Sequence, residues 1–71
     1  MRRYTIIIEK AGDNHSAYCP DLPGCIATGS TVEETTQRMK QAIELHIEGL
    51  RIEKMVIPSP STEATSIEVA A

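Results

Sequence analysis

The sequence predicts an α+β fold: a three-stranded antiparallel meander, one long helix packed across one face, and a short fourth strand at an edge. Three observations carry this. A β-branched run from Arg3 to Lys10 leads into hairpin-loop residues. Two prolines, an aspartate and a glycine then break strand-like sequence between Cys19 and Cys25. Finally, a helix-capping pattern opens a long stretch of helical periodicity at Thr31.

In Arg3-Tyr4-Thr5-Ile6-Ile7-Ile8-Glu9-Lys10, strand-forming residues alternate so that Tyr4, Ile6 and Ile8 share a face and Ile7 points the other way. Ala11-Gly12-Asp13-Asn14 has hairpin chemistry and places Ser16–Cys19 antiparallel to the first strand. The next stretch, Cys19-Pro-Asp-Leu-Pro-Gly-Cys25, cannot lie inside a central strand, because proline lacks a donor and glycine costs backbone entropy. Asp21-Leu22-Pro23-Gly24 reads as a rigid tight turn, with proline presetting φ and Gly24 supplying a positive φ. Cys25–Thr28 makes the third strand, closed by Gly29.

Thr31-Val32-Glu33-Glu34 is a capping box, in which the Thr31 oxygen caps the Glu34 amide and the Glu34 carboxylate reaches back. Both glutamates also sit where the helix dipole favours negative charge. The helix is expected to run to about Glu53, with Lys54 at its negative pole. Its apolar residues form two stripes. Val32, Met39, Ile43, Ile47 and Leu50 are assigned to the sheet; Ala42, Leu45, Gly49 and Ile52 lie on the far side. The second stripe, with Glu44 and Glu48 on the solvent side, is a candidate protein interface. The bland alternative is scattered surface aliphatics, which are common. Beyond the helix, Pro58-Ser59-Pro60-Ser61-Thr62 reads as a stiff connector, and Ser66-Ile67-Glu68-Val69 alternates like the fourth strand with Ile67 and Val69 inward.

Residues 1–71 form a single small domain, a size that buries only about 60% of its unfolded surface. The only aromatics are Tyr4 and Tyr18, so aliphatic residues must fill a thin core. A second subunit, as a homodimer or higher homo-oligomer, is the expected reinforcement. Net charge is −3, which argues against a nucleic-acid footprint and suits a protein that masks a basic partner. No apolar run is long enough to span a membrane, and no signal-peptide core follows Met1, so a cytoplasmic location is expected. In that compartment Cys19 and Cys25 are expected to stay reduced.

No catalytic site stands out. Two-metal phosphodiester cleavage needs clustered carboxylates, whereas Glu9, Glu33, Glu34, Glu44 and Glu48 are spread along separate faces and Asp21 sits in a turn. His15, Cys19, Cys25 and His46 lack the spacing of a structural zinc site. His46, beside the sheet-facing stripe, reads as a packed, half-buried residue with no nucleophile paired to it. Neither an enzyme nor a cofactor is implied.

Tyr18-Cys19-Pro20-Asp21-Leu22-Pro23-Gly24-Cys25, Gly29-x-Thr31-x-Glu33-Glu34, the helix stretch Ala42-Ile43-Glu44-x-His46-x-Glu48-Gly49-Leu50 and Pro58 together resemble the HicB antitoxin family of bacterial toxin–antitoxin systems. The resemblance spans the chain from Tyr4 through the helix. It implies a degraded ribonuclease H-like domain (β-β-β-α-β) that binds and inhibits a small, basic, mRNA-cleaving HicA-type toxin by occlusion. Many family members add a C-terminal DNA-binding domain, for which a chain ending at Ala71 has no room, so direct DNA binding is not expected. Two other readings of the residues remain open: a stand-alone interaction or ligand-binding module, and a degenerate ribonuclease H-like nuclease.

Overall fold

In a computed structural model describing Met1–Ala71, three strands precede one helix: β1 (Ile7–Ala11), β2 (Asn14–Tyr18), β3 (Ile26–Gly29) and α1 (Val32–Ile52). The strands form an antiparallel sheet in the order β1-β2-β3, and α1 packs over β3 and β2. The α+β meander-plus-helix architecture is the expected one.

Register explains which side chains are buried. Ile8, Ala17 and Ala27 lie side by side across the three strands and face the helix, with Ala17 buried and the other two packed on the core. One residue on, Ile7, Tyr18 and Ile26 form an apolar row on the opposite face, where Ile26 is largely exposed. A shift of one residue exchanges the two faces. The expected orientation of Ile7 away from the helix is therefore observed.

Hydrogen-bonded and non-bonded pairs alternate along an antiparallel ladder. The Cys19 amide donates to the Cys25 carbonyl at 3.2 Å, which makes Ala17–Ala27 and His15–Gly29 the bonded pairs toward β3. Thr28 consequently points its backbone groups away from β2, and its carbonyl accepts from Arg38 Nη1 on the helix at 3.0 Å. By the same alternation Ile8 and Lys10 turn their amides and carbonyls toward the free edge of β1, where no backbone partner meets them.

The helix starts and stops on local chemistry. Thr31, in extended conformation, accepts the Glu34 amide on its hydroxyl at 3.0 Å. Glu34 reaches back one residue further than expected, to the Ser30 amide at 3.1 Å and hydroxyl at 3.3 Å. At the other end, Lys54 donates to the Arg51 carbonyl and Met55 to that of Leu50. This is a Schellman closure, with Lys54 at φ 56° in the left-handed position that glycine usually takes. Where the helix crosses the sheet, a Cβ on Gly29 would lie 2.6 Å from Thr35 Oγ1 and 2.8 Å from its amide. Thr35, absent from the expected core stripe, is therefore fully buried one helical turn before Met39 and against a bare backbone.

Four expectations are corrected. β1 begins at Ile7 rather than Arg3, although Tyr4 and Ile6 still pack on the core. Val32 is exposed, since it precedes the crossing marked by Gly29 and Thr35. Ala42 packs on the core rather than on the far side, because three residues of helix place it only about 60° from Met39. The fourth strand does not form: Ser66–Val69 pairs with nothing and leaves Ile67 81% and Val69 74% exposed. The reason is the preceding segment, which Pro58, Pro60 and long-range side-chain bonds lead away from the ladder.

Candidate functional site

Only seven of the 71 residues are fully buried, so the interior offers little room for a reactive site and the informative geometry lies on the surface. The Cys19–Cys25 corner comprises two consecutive turns. In the first, the Leu22 amide donates to the Cys19 carbonyl at 3.1 Å; in the second, the Cys25 amide donates to the Leu22 carbonyl at 3.1 Å. The proline–glycine turn is thus Leu22–Cys25, one residue later than the Asp21–Gly24 frame, with Pro23 at its first corner and Gly24 at φ 83° at its second. Leu22 is driven inward between the turns, with no exposed surface, and joins Cys19, Cys25, Ala17 and Met39 in the core. Both cysteines are free and buried, and burial, followed by the neighbouring Cys19, pushes the Cys25 thiol above its ordinary pKa.

Asp21 escapes the turn's own hydrogen bonding and clasps a distant segment. Its Oδ2 accepts from the amides of Ser61 at 3.0 Å and Thr62 at 3.1 Å, and its Oδ1 from their hydroxyls at 3.0 and 2.9 Å. The Thr62 amide, then the Ser61 amide, lower its pKa to about 2, with the hydroxyls adding to the effect. Three further bonds secure the segment: Tyr4 Oη donates to the Pro58 carbonyl at 2.6 Å, Arg2 Nη1 to the same carbonyl at 3.5 Å, and Thr5 Oγ1 to the Thr62 carbonyl at 2.8 Å. Sequence reasoning put Asp21 at the start of the proline–glycine turn and missed its distant partners. The signal was a Ser-Thr pair straight after Pro-Ser-Pro, four donors on a stretch that cannot pair as a strand. At the helix start, Glu34 has its pKa lowered by the Ser30 amide and then by Arg38, which lies 3.3 Å away.

Two surface features could receive a partner. On the helix, Leu45 and Ile52 are 74% and 71% exposed, flanked by exposed Glu44, Glu48 and Gly49. Met55 and Val56 extend this apolar surface past the helix end. Of the candidate interface residues, the fold therefore brings Leu45, Gly49, Ile52, Glu44 and Glu48 onto the solvent side and assigns only Ala42 to the core. Open space surrounds Gly49. The second feature, unforeseen from the sequence, is a groove of about 1190 Å³ between the N-terminal segment and the helix. Tyr4, Ile6, Met39, Ile43, Ile47 and Ile57 supply its apolar lining, and Arg2, Arg3, Lys40 and Arg51 are the cations on it. No three His, Cys, Asp or Glu side chains gather where they could hold a metal ion. His15 lies in β2 opposite Lys10 and Gly29, with its Nδ1 buried and unpartnered. His46 is half-buried as expected. No helix is long and apolar enough to cross a membrane.

A three-stranded sheet under one helix, with Leu45, Ile52, Glu44 and Glu48 on the outward helix face, is the architecture to be compared with known proteins. Residues 4–70 match the HicB-like antitoxin family of bacterial toxin–antitoxin systems, and the chain belongs to that family. It is 45% identical over 56 residues, covering 78% of this chain and 71% of the other, to the UPF0150 protein ssr1765 of Synechocystis sp.. A UPF0150 protein of Thermoplasma acidophilum is 35% identical over 92% of this chain and 96% of its own length. An uncharacterised 14.9 kDa protein of Haemophilus phage HP1 is 45% identical over 66% of this chain but only 35% of its own length. Among solved structures, a chain of a HicA3 and HicB3 toxin–antitoxin complex superposes with a TM-score of 0.73 at 33% identity, covering 84% of this chain and 70% of that one. Membership of this family gives the chain a non-enzymatic, antitoxin role.

Proposed function

We propose that this chain binds a HicA-type mRNA-cleaving toxin in the cytoplasm and inhibits it by covering its catalytic surface, without itself contacting DNA. The observation that carries this reading is the likeness, in both fold and sequence, to a chain of a solved HicA3 and HicB3 complex. The outward helix face supplies the contact. Leu45 and Ile52 give an exposed apolar centre, and Glu44 and Glu48 give negative charge to meet a basic toxin. Such an arrangement steers encounter electrostatically while buried apolar area slows dissociation. The degraded ribonuclease H-like domain that the family resemblance implies is the scaffold for this contact.

Co-expression with a neighbouring gene encoding a short basic protein tests the reading. A stable, inactive complex is expected. Leu45→Glu should weaken it at least tenfold, whereas Glu44→Lys with Glu48→Lys should mainly slow association and flatten its salt dependence. A complex indifferent to all three substitutions would move the contact off this face. Failure of the two proteins to associate would remove the toxin as partner.

A further inference from the structure

The chain carries both an unfilled strand site and an unpaired strand. The site is the open edge of β1. Ladder alternation turns the amides and carbonyls of Ile8 and Lys10 outward there, and the apolar groove lies between α1 and Tyr4 and Ile6, the residues that lead into this strand. The unpaired strand is Ser66–Val69, whose alternating Ile67 and Val69 are exposed. Its root is tied down by Asp21, Tyr4 and Thr5, which hold Pro58 through Thr62. Glu63 and Ala64 then lie beside Thr5 and Arg3, so the segment leaves the clasp alongside the N-terminal residues instead of running along Ile7–Ala11 of its own sheet. The molecule is accordingly drawn out. Its radius of gyration is 13.7 Å, against about 11 Å for a compact domain of this length.

We propose that this arm is exchanged: Ser66–Val69 of one copy adds as the fourth strand at the β1 edge of a second copy, seating Ile67 and Val69 in the groove under the helix. Charge admits this occupant. The groove carries Arg2, Arg3, Lys40 and Arg51 against a single Glu44, while residues 55–71 hold no lysine or arginine that would repel them. Pattern selects it. A strand whose alternate residues are apolar presents one apolar row to Ile43 and Ile47 and turns Glu68 outward. Donor and acceptor reside in every copy, so a two-fold exchange satisfies both at once.

The test uses the whole chain in three measurements. Sedimentation should show a dimer, and Ile67→Lys with Val69→Lys should lower its association constant at least a hundredfold. These residues are largely exposed in the single copy, so the melting temperature of the dilute variant should match that of the dilute parent. Hydrogen exchange should show the Ile8 and Lys10 amides protected in the parent and released in the variant. In a mixture of isotope-labelled and unlabelled protein, filtered NMR contacts should join Ile67 or Val69 of one copy to Ile43 or Ile47 of the other. A monomer at several hundred micromolar overturns the proposal, as does a dimer untouched by the double substitution. Contacts confined to one copy overturn it in favour of an arm folded back on its own sheet.

Discussion

Two proline-rich segments of this chain, the Cys19–Cys25 corner and the stretch from Pro58 to Thr62, adopt irregular backbone for different reasons. The corner closes its own hydrogen bonds, from Leu22 to Cys19 and from Cys25 to Leu22, and buries a leucine while doing so. The C-terminal stretch makes none of its own. Side chains 40 to 57 residues away in sequence hold it instead. Proline forbids the ladder in both places; what differs is where the replacement bonds come from. A self-satisfied corner belongs to the folding core, whereas a borrowed set of bonds can open without unfolding the rest.

Removing the leucine plug should break the corner most severely. Leu22→Ala should cost about 2–5 kcal/mol in urea unfolding, because the site is fully enclosed between two turns that resist collapse. A smaller loss would show that the turns relax. Gly24→Val should cost about 1–3 kcal/mol, since a β-branched residue is strained at φ 83° although no neighbour crowds it. Gly29→Ala, outside both segments, should cost about 1–3 kcal/mol by forcing Thr35 and the helix off the sheet. Gly24→Ala should then fail through strain and Gly29→Ala through crowding, so only the second should be partly relieved by Thr35→Ala, which removes the Oγ1 contact at 2.6 Å and leaves the amide contact at 2.8 Å.

The C-terminal segment should respond differently. Asp21→Asn should speed amide exchange at Ser61 and Thr62 while leaving exchange at Met39 near its parental value; equal acceleration everywhere would make the clasp part of the core. Acid should act in the same direction. The carboxyl of Asp21 titrates near 2 in the folded chain, below its ordinary 3.8, so its contribution is complete above pH 4 and is lost as pH falls toward 2. Release of the segment in that window, absent in Asp21→Asn, is the expected outcome.

The elements legible in the sequence were those whose causes are local. Thr31 and Glu34 marked the helix start, Pro23 and Gly24 marked a turn, and alternation in Tyr4–Ile8 fixed which face of the first strand met the helix. The turn frame slipped by one because Pro20 builds a turn of its own, leaving Leu22 as the hinge between two. Thr35 was missed because a threonine is not read as core, and its burial depends on a glycine in another element. The Asp21 clasp and the groove were hidden for the same reason: each joins residues separated by tens of positions. Ser66–Val69 was read as a fourth strand from its alternation, but alternation forms a strand only where a ladder partner is in reach, and the segment pairs with nothing. On the helix, the outward positions of Leu45 and Ile52 were plain from periodicity, while Ala42 sat on the border between the two stripes.

The guanidinium of Arg38 on the Thr28 carbonyl bears on how large an assembly of such chains can grow. A sheet with two free margins invites addition at both, and a contact that repeats without closing produces a fibre. Here one margin has an acceptor already engaged by a bulky cation from the helix, and the other stands open. Under the strand exchange proposed above, the arginine on Thr28 disfavours addition at the β3 margin and favours closed pairs over an open chain of copies.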